Sequence, residues 1–440
     1  MVRTKSLLSR RRSAGKDSHK LFPTLPVNWI SLALRNLFRN SRRSITTVAA
    51  VALGYAATNI FAGFAGYMFA SIQEAHIYEQ VNGHVQIWKK GARDYGGSDP
   101  GAFLITSQDF AKIKSVAETD DRIELSAGML SITGNLDFEG NPGYFFGQAM
   151  VPSERDQIFT RSTALKSANG PGETGIAMAD DTPHGISIAP GMAENLALEI
   201  GSDVILMAPS INGQMNAVDA QIFQIADVAA EALNNHYAFI PLSLAQSLYD
   251  TDGVSSVRML LKHDDDTDAV VAKLRQSLPE SEWEVIPWYE VSRLYLRTKK
   301  MFDVIFGLVF AIIATIVVMS VLNTIGMAVV ERTSEIGTLR AIGLKRPGVI
   351  RLFGIESAFL GIIGAVTGLL ATVGFSYLIQ TIQPTWEPPV TAREIVWEIR
   401  LMPEYLLLTF VILVIFTSLA AIAPASRAAK QSIVQSLGHV

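Results

Sequence analysis

Four long stretches of this 440-residue chain contain no Asp, Glu, Lys or Arg. They are residues 45–72, 304–330, 357–386 and 405–426. An α-helix rises about 1.5 Å per residue, so roughly 20 apolar residues cross a hydrocarbon layer of about 30 Å. Runs of this length are too long for the core helices of an ordinary soluble domain. The sequence therefore predicts four transmembrane helices, which we place at 45–72 (TM1), 301–330 (TM2), 352–383 (TM3) and 404–426 (TM4).

Composition supports a membrane protein. Apolar residues make up 49% of the chain and charged residues 18%, with a mean hydropathy of +0.27. Soluble domains carry about 25% charged residues. The chain has no Cys, which excludes a disulfide framework, a thiolate metal site and a Cys nucleophile.

The distribution of charge predicts the orientation of the spans. Residues 1–44 hold 11 Lys and Arg against one acidic residue, Asp17. Short segments rich in Lys and Arg remain in the cytoplasm, so we place the N-terminus there. Residues 71–300 hold 17 basic and 32 acidic residues, a net charge of −15 that favours an extracytoplasmic domain. The basic loop at 331–351 is cytoplasmic in this topology, and so is the C-terminal tail at 427–440.

The basic N-terminal region divides into two predicted parts. Residues 1–26 are predicted to form a disordered cytoplasmic tail. Residues 27–43 place Ile30, Ala33 and Leu37 on one helical face with arginines opposite or at the end, which predicts an amphipathic helix at the membrane interface. A cytoplasmic linker is the alternative. A cleaved signal peptide is disfavoured because the uncharged stretch that follows is too long.

The segment 73–300 mixes strand and helix patterns and predicts an α+β domain inserted between TM1 and TM2. The predicted strands are 84–88, 123–133, 204–207, 218–225, 237–241, 257–261 and 284–287. The predicted helices are 108–117, 192–198, 242–249 and 267–278. Residues 289–330 lack Pro and keep an apolar helical spacing, which predicts that a rigid stalk helix continues into TM2. A helix broken at 296–300 is the alternative.

Motifs for catalysis and metal binding are absent from the sequence. There is no G-x-x-x-x-G-K-[ST], H-E-x-x-H or G-x-S-x-G, so no P-loop, zinc protease or esterase site is predicted. Asp264, Asp265, Asp266 and Asp268 do not follow the spacing of a calcium loop, and we interpret them as the solvated start of a helix. Asp180, Asp181 and His184 are interpreted as loop residues.

One dense motif follows TM2. It reads ERTSEIGTLRAIGLK at 331–345, and then Glu356 precedes a glycine series at Gly361, Gly364 and Gly368. This pattern resembles the FtsX-like/MacB-type ABC transporter permease family, whose motif is E-R-x-x-E-I-G-x-L-R-A-x-G followed by a glycine-spaced helix. Segments 83–91 and 240–242, with Trp288, look closest to the LolC/LolE lipoprotein-releasing branch.

The resemblance implies a fold and a set of roles. The fold is an α-helical membrane protein with four transmembrane helices plus a large MacB-like α+β extracytoplasmic domain, with the FtsX-like permease domain at about 301–430, a cytoplasmic coupling segment at 331–350 and a short extracytoplasmic loop at 384–403. In this family the coupling helix docks on an ATPase, as an amphipathic helix docks in a groove. The ATPase-coupling residues are then Glu331, Arg332, Glu335, Ile336, Leu339, Arg340 and Gly343.

The remaining residues of the motif have expected packing and charge roles. Gly361, Gly364 and Gly368 allow another helix to approach closely, either within the chain or across a dimer. Glu356 is expected to be a carboxylate at the membrane interface, with a proton relay as the alternative.

The resemblance also implies partners and location. They are an ABC ATPase dimer that binds ATP and Mg²⁺, a second permease, identical or related, membrane lipids, and a periplasmic chaperone or lipoprotein cargo. No cofactor, catalytic residue or metal is expected in this chain, and no nucleic-acid partner. The location is the bacterial inner membrane. Release or export of lipoproteins or another amphiphile is the expected function. The alternatives are signalling to a cell-wall hydrolase, as in the FtsX branch, and drug or peptide efflux.

Overall fold

The computed structural model describes residues 29–39, 41–97, 99–162, 174–228, 231–291, 293–386 and 395–433. The predicted tail at 1–26 and the last residues, 434–440, lie outside this range. Within the described residues, four helices are long and apolar enough to cross a membrane: Arg42–Glu79, Tyr295–Glu331, Arg346–Ile382 and Pro403–Lys430. The prediction of four candidate spans is confirmed, and we keep the names TM1 to TM4 for these helices.

The helices in chain order are Trp29–Arg39, Ser41–Glu74 with the π-helical turn Ala75–Glu79, Ala92–Tyr95, Pro100–Phe103, Ser107–Ala117, Pro152–Phe159, Pro190–Leu196, Leu242–Tyr249, Thr267–Ser277, Trp288–Val291, Arg293–Glu331, Thr333–Ala341, Arg346–Ile382, Pro403–Ala420 and Ile422–Lys430. Two short 3₁₀ turns lie at Glu231–Leu233 and Asp264–Asp266. The strands are β1 Val85–Lys89, β2 Ile123–Phe138, β3 Asn141–Met150, β4 Thr174–Gly175, β5 Gly185–Ile188, β6 Asp203–Pro209, β7 Met215–Ile225, β8 Tyr237–Pro241, β9 Ser256–Leu261, β10 Trp283–Pro287, β11 Thr385–Trp386 and β12 Ile395–Val396.

The chain divides into two compact units. The helical unit comprises Met1–Asn59, Val309–Thr372 and Pro403–Val440, and the sheet unit comprises Ile60–Leu308 and Val373–Met402. In the helical unit, Val321, Ile325, Phe353 and Leu360 form a buried core together with a group of small alanines. These alanines are Ala420, Ala421, Ala425, Ala428 and Ala429.

In the sheet unit, strands β1 to β10 form one mixed sheet with the order β10-β1-β9-β2-β3-β8-β5-β7-β4, in which β6 pairs with β2 and β7. Strands β11 and β12 form a separate two-stranded sheet. Strand β2 has 16 residues and joins two lobes. Its first half pairs with β9 and its second half with β3 and β6. Each lobe has its own buried core, so one long strand makes the two lobes continuous.

The sequence patterns located most of these elements, with two clear omissions. Strand β3 and the helix Pro152–Phe159 were not predicted. The sequence of β3, NPGYFFGQAM, contains Pro142, Gly143 and Gly147, which are typical of turns. It is nevertheless a strand because β2 and β8 pair with it on both sides.

The helix that contains TM2 is one continuous element of 39 residues, Arg293–Glu331. At 1.5 Å per residue it is about 58 Å long, nearly twice the hydrocarbon thickness. It passes through 296–300 without a break, which rules out the broken-helix alternative. The short helix Trp288–Val291 precedes it and contains the predicted start at Tyr289, and residue 292 between the two helices lies outside the described residues.

Candidate functional site

The predicted coupling segment starts at a sharp change in backbone direction. The long helix ends at Glu331, and Arg332 leaves the helical region with φ −105° and ψ 16° before the helix Thr333–Ala341 begins. The Thr333 hydroxyl donates to the carbonyls of Val329 at 3.0 Å and Val330 at 2.9 Å, which satisfies carbonyls left open by the last turn. Glu331, which is predicted to belong to the coupling segment at 331–350, is therefore the last residue of the preceding helix.

Gly343 lies just beyond the other end of the coupling helix. Its φ of +110° is a backbone conformation that residues with a side chain rarely adopt. Glycine is favoured in such positions after a helix because it carries no Cβ. The chain can then turn within a few residues into TM3, which starts at Arg346.

A buried ion pair holds this turn in place. Arg332 Nη1 lies 3.0 Å and 3.3 Å from the two carboxylate oxygens of Glu356 on TM3, and the Asn36 amide also donates to that carboxylate. Glu356 is only 4% exposed. The guanidinium of Arg332 also bonds Glu335 at 3.1 Å and lies 5.7 Å above the Phe353 ring. Glu356 is thus a buried carboxylate that joins three helices, and its place at the membrane interface stays a prediction.

Electrostatics at Arg332 follow from this environment. Burial alone would lower the pKa of Arg332, but the carboxylates of Glu356 and Glu335 raise it above its usual value. The guanidinium therefore stays charged. Removing one partner from a buried pair leaves an uncompensated charge, which costs far more than breaking a pair in water.

A second contact lies between the beginning of TM1 and the end of TM2. Arg43 pairs with Glu331 at 2.6 Å, and both side chains are about half-exposed. One turn further on, the hydroxyls of Thr47 and Thr324 are 2.5 Å apart. TM1 and TM2 are therefore fixed to each other beside the coupling helix.

The apolar face of the coupling helix is directed inward. Ile336 is 5% exposed and belongs to the buried core of the helical unit, and Leu339 is half-buried. Arg340 donates to the carbonyl of Gln431, close to the end of the helix Ile422–Lys430. By contrast, Ile342 is 77% exposed. The exposed surface of this segment is therefore formed by Ser334, Glu335, Thr338, Ala341 and Ile342, and Ile336 is not accessible to a partner.

The glycines of TM3 lie against other helices of the same chain. A Cβ added to Gly364 would lie 2.5 Å from Val51 Cβ, and one added to Gly368 would lie 2.6 Å from the Ala52 carbonyl oxygen. A Cβ on Gly361 would collide with Thr417 on TM4. Glycine at these positions lets TM1 and TM4 approach the backbone of TM3, so the partner is within the chain.

The sequence did not indicate the role of Asn36 or Arg43. Asn36 is 320 positions away from Glu356, and no local pattern indicates that contact. Among the described residues, no group of three or more His, Asp or Glu could hold a metal ion. Asp180 instead accepts hydrogen bonds from the Ser153 backbone and hydroxyl groups at 2.9 Å and 2.8 Å, at the start of the helix Pro152–Phe159.

Four candidate spans, a charged cluster at the end of TM2 and a large sheet unit are the features of a membrane protein with a second, non-spanning part. Two family models match this chain: the FtsX-like permease C-terminal model over residues 307–433 and the MacB-like periplasmic core domain model over residues 44–277. The chain belongs to the FtsX-like/MacB-type family of ABC transporter permeases.

Individual relatives are distant. The chain is 22% identical over 350 residues to the lipoprotein-releasing system transmembrane protein LolC of Xylella fastidiosa, covering 75% of this chain and 81% of LolC. It is 20% identical over 371 residues to the macrolide export ATP-binding/permease protein MacB of Chlorobium luteolum, covering 80% of this chain and 53% of MacB. The periplasmic region of MacB from Actinobacillus actinomycetemcomitans aligns with a TM-score of 0.35 at 10% identity, covering 51% of this chain and 97% of that one.

Proposed function

We propose that this chain is the permease subunit of an ABC transporter in which a partner ATPase, with ATP and Mg²⁺ bound to it, drives movement of the sheet unit. In this proposal the chain lies in the bacterial inner membrane with both termini in the cytoplasm, and the sheet unit is extracytoplasmic. The chain itself is not catalytic. It works as a pair with a second, identical or related permease.

The observation that carries the proposal is the helix Arg293–Glu331. It contributes residues to both compact units, and its last residue leads directly into Arg332. The buried Arg332–Glu356 pair fixes the coupling helix to TM3, and the Arg43–Glu331 pair fixes the end of the helix to TM1. A push on the coupling helix therefore acts on TM1, TM2 and TM3 together.

The ATPase contact is the exposed surface of the coupling helix. Ile342 is the anchor, since it is a large apolar side chain with 77% of its surface exposed. Glu335 lies on the same exposed surface and supplies charge. A short helix that presents an apolar anchor and a charge is a recognised way to dock in a groove of a partner.

Lipoproteins are the proposed cargo. The relation to LolC, which spans most of both chains, favours this class. Extracting one acyl chain of about 16 carbons from a bilayer costs about 13 kcal/mol at about 0.8 kcal/mol per methylene, so an energy source is required. Efflux of a drug or peptide is the second candidate, favoured by the match to MacB over 80% of this chain.

The coupling contact is tested by measuring ATPase turnover of the chain reconstituted in nanodiscs with the ATPase encoded beside it. We expect Ile342→Asp to abolish both co-purification of the ATPase and stimulation of its turnover. Ile200→Asp is the matched control, because Ile200 is also an exposed isoleucine, at 42%, and lies in the sheet unit. Full stimulation by Ile342→Asp would contradict the proposed contact.

The cargo is tested in proteoliposomes that contain the complex and a fluorescent triacylated lipoprotein. ATP-dependent release of the lipoprotein supports the transport proposal. Release of a macrolide without release of the lipoprotein would support efflux instead. ATP-dependent activation of an added cell-wall hydrolase with neither release would support the signalling alternative.

A further inference from the structure

The acidic turn Asp264–Asp266 in the sheet unit is hydrogen-bonded to the end of TM1. The Asp264 carboxylate accepts hydrogen bonds from Gln73 Nε2 at 2.9 Å, from the Tyr78 hydroxyl at 2.9 Å and from His84 Nε2 at 2.8 Å. His84 is fully buried, and its Nδ1 accepts a hydrogen bond from the Leu261 backbone N–H at 3.1 Å. Nε2 is therefore the protonated ring nitrogen and donates the hydrogen bond to Asp264. Asp264 therefore lies partly exposed at the start of a helix, as the sequence predicts, and in addition it joins this turn to TM1.

The same acidic segment also contacts the chain just before TM2. The Tyr289 hydroxyl donates to Asp268 at 2.5 Å. Burial, together with the neighbouring Asp268, raises the pKa of Tyr289 to about 12, so the hydroxyl remains a donor at neutral pH. One short acidic segment therefore bonds to both helix ends: Asp264 accepts from the end of TM1, and Asp268 accepts from Tyr289, just before TM2.

These two helix ends also pack directly on each other within the sheet unit. The Phe69 ring on TM1 meets the rings of Tyr295 at 5.8 Å and Phe302 at 5.4 Å, both edge-on. Phe61 and Phe306 stack at 6.2 Å. Aromatic pairs at these distances are attractive beyond their buried area, so the two helix ends behave as one packed pair.

The other side of the acidic segment continues into the helix Thr267–Ser277, which is attached to the sheet. Arg275 donates from Nε at 3.0 Å and from Nη2 at 2.8 Å to the carbonyl of Val285 on β10. Lys273 pairs with Asp120 at 3.2 Å. Val270, Val271 and Leu274 are buried in the core of this lobe. The helix is therefore anchored to β10 by these contacts.

We infer that the helix Thr267–Ser277 and its acidic turn form a mechanical joint that transmits displacement of the paired TM1 and TM2 ends to the sheet, with Asp264, Asp268 and Tyr289 as positioning residues. This inference rests on the proposed function, because it names the element that receives the stalk movement. A side chain that accepts three directed hydrogen bonds fixes orientation as well as distance, which apolar packing alone does not.

The joint is tested directly by distance measurements in the full ATPase complex. The native chain has no Cys, so Gln276→Cys on the joint helix and Lys300→Cys on the TM2 helix can be spin-labelled specifically; both positions are exposed. We expect one narrow distance distribution that does not change between the nucleotide-free and vanadate-trapped states. Introducing Asp264→Asn and Tyr289→Phe into this doubly labelled variant should broaden the distance distribution. An unchanged narrow distribution in this variant would overturn the inference.

A functional readout separates a joint from a merely structural contact. In proteoliposomes with the triacylated lipoprotein, Asp264→Asn with Tyr289→Phe should keep ATPase stimulation but lower the release per ATP about fivefold, as expected for losing about 1 kcal/mol of coupling. Asp265→Asn is the matched control, since Asp265 is an exposed neighbour in the same turn. Tyr289→Phe alone removes a single hydroxyl, and it serves if the double variant is poorly folded.

The outcomes distinguish the joint from the proposed function. Release per ATP equal to that of the native chain, in Tyr289→Phe and in the double variant, would overturn the joint while leaving the permease function intact. If the native chain neither stimulates the ATPase nor releases cargo, the proposed function fails; the distance distributions then decide the joint on its own.

Discussion

Two carboxylates bind together separate parts of this chain, and they do so in different surroundings. Glu356 is 4% exposed and meets Arg332 and Asn36 beside the coupling helix. The Asp264 side chain is 43% exposed and meets Gln73, Tyr78 and His84 in the sheet unit. Glu356 accepts hydrogen bonds from two side chains and Asp264 from three, and the larger difference between them is access to water.

The difference in exposure to water determines how each carboxylate contact responds to substitution and to pH. Water can rarely reach a buried ion pair to replace a lost partner, so breaking the pair costs a large free energy. A half-exposed carboxylate exchanges protein donors for water at low cost, so its contacts are weaker and adjustable. We therefore expect Glu356 to act as a fixed structural point and Asp264 as a joint whose strength can be tuned.

Breaking the buried pair should have the largest effect. Arg332→Ala leaves the Glu356 carboxylate buried without its cation, and such losses cost about 3–5 kcal/mol. We expect little monodisperse protein in detergent and a strongly lowered melting temperature. Arg332→Leu with Glu356→Leu removes both charges and should recover most of this stability. A single variant as stable as the native protein would show that the pair is not buried as described.

The contact between TM1 and TM3 should be the next most sensitive, because it depends on shape rather than charge. Gly364→Leu places a side chain where Val51 already lies, and overpacking of this kind costs about 1–3 kcal/mol. The melting temperature in detergent measures this loss. Gly354→Leu is the control on the same helix, since a Cβ at Gly354 meets nothing within 4 Å. Equal effects of the two substitutions would contradict the packing.

The half-exposed joint should show a smaller, pH-dependent effect. The hydrogen bond from His84, and then that from Tyr78, holds the pKa of Asp264 below its usual value. A lowered folded-state pKa means that the joint contributes stability above the ordinary carboxylate pKa and loses it as the pH falls towards the folded-state value. Asp264→Asn should therefore lower the melting temperature at pH 7 slightly, and this difference should shrink in acid. A difference that grew in acid would contradict this account.

The weakest contact should be the pair between Arg43 and Glu331, since both side chains are about half-exposed. Exposed ion pairs contribute about 0.2–1 kcal/mol, and salt screens them. We expect Arg43→Gln to change the melting temperature by a small amount that disappears at high salt. A loss as large as that of Arg332→Ala would mean that this pair is shielded from water.

The sequence predicted the parts of the fold that depend on local pattern. The four charge-free stretches located the spans, and the strand at 237–241 and the helix at 242–249 were predicted at the residues where they occur. Strand β3 was missed because partners on both sides, rather than its own residues, make it a strand. Tertiary pairing of this kind leaves no local signal.

At the candidate site, residue types were easier to predict than contacts. The motif gave Arg332 and Glu335 a role in ATPase coupling and Glu356 a separate role as an interface carboxylate, yet it gave neither the turn at Arg332 nor the contact between Arg332 and Glu356. Ile336 was assigned to an exposed surface because helical periodicity shows only that a face is apolar. Whether that face meets its own chain or a partner depends on distant residues, here the alanines of the last helix.

The proposed function requires the coupling helix and the sheet unit to lie on opposite sides of one membrane, and the helix Arg293–Glu331 contributes residues to both compact units. Two single-cysteine variants test it directly, Ile342→Cys and Met215→Cys, because these positions are 77% and 68% exposed and the native chain has no Cys. In intact spheroplasts, a membrane-impermeant maleimide should label Met215→Cys at once and Ile342→Cys only after lysis. Immediate labelling of both positions, or of neither, would contradict the account.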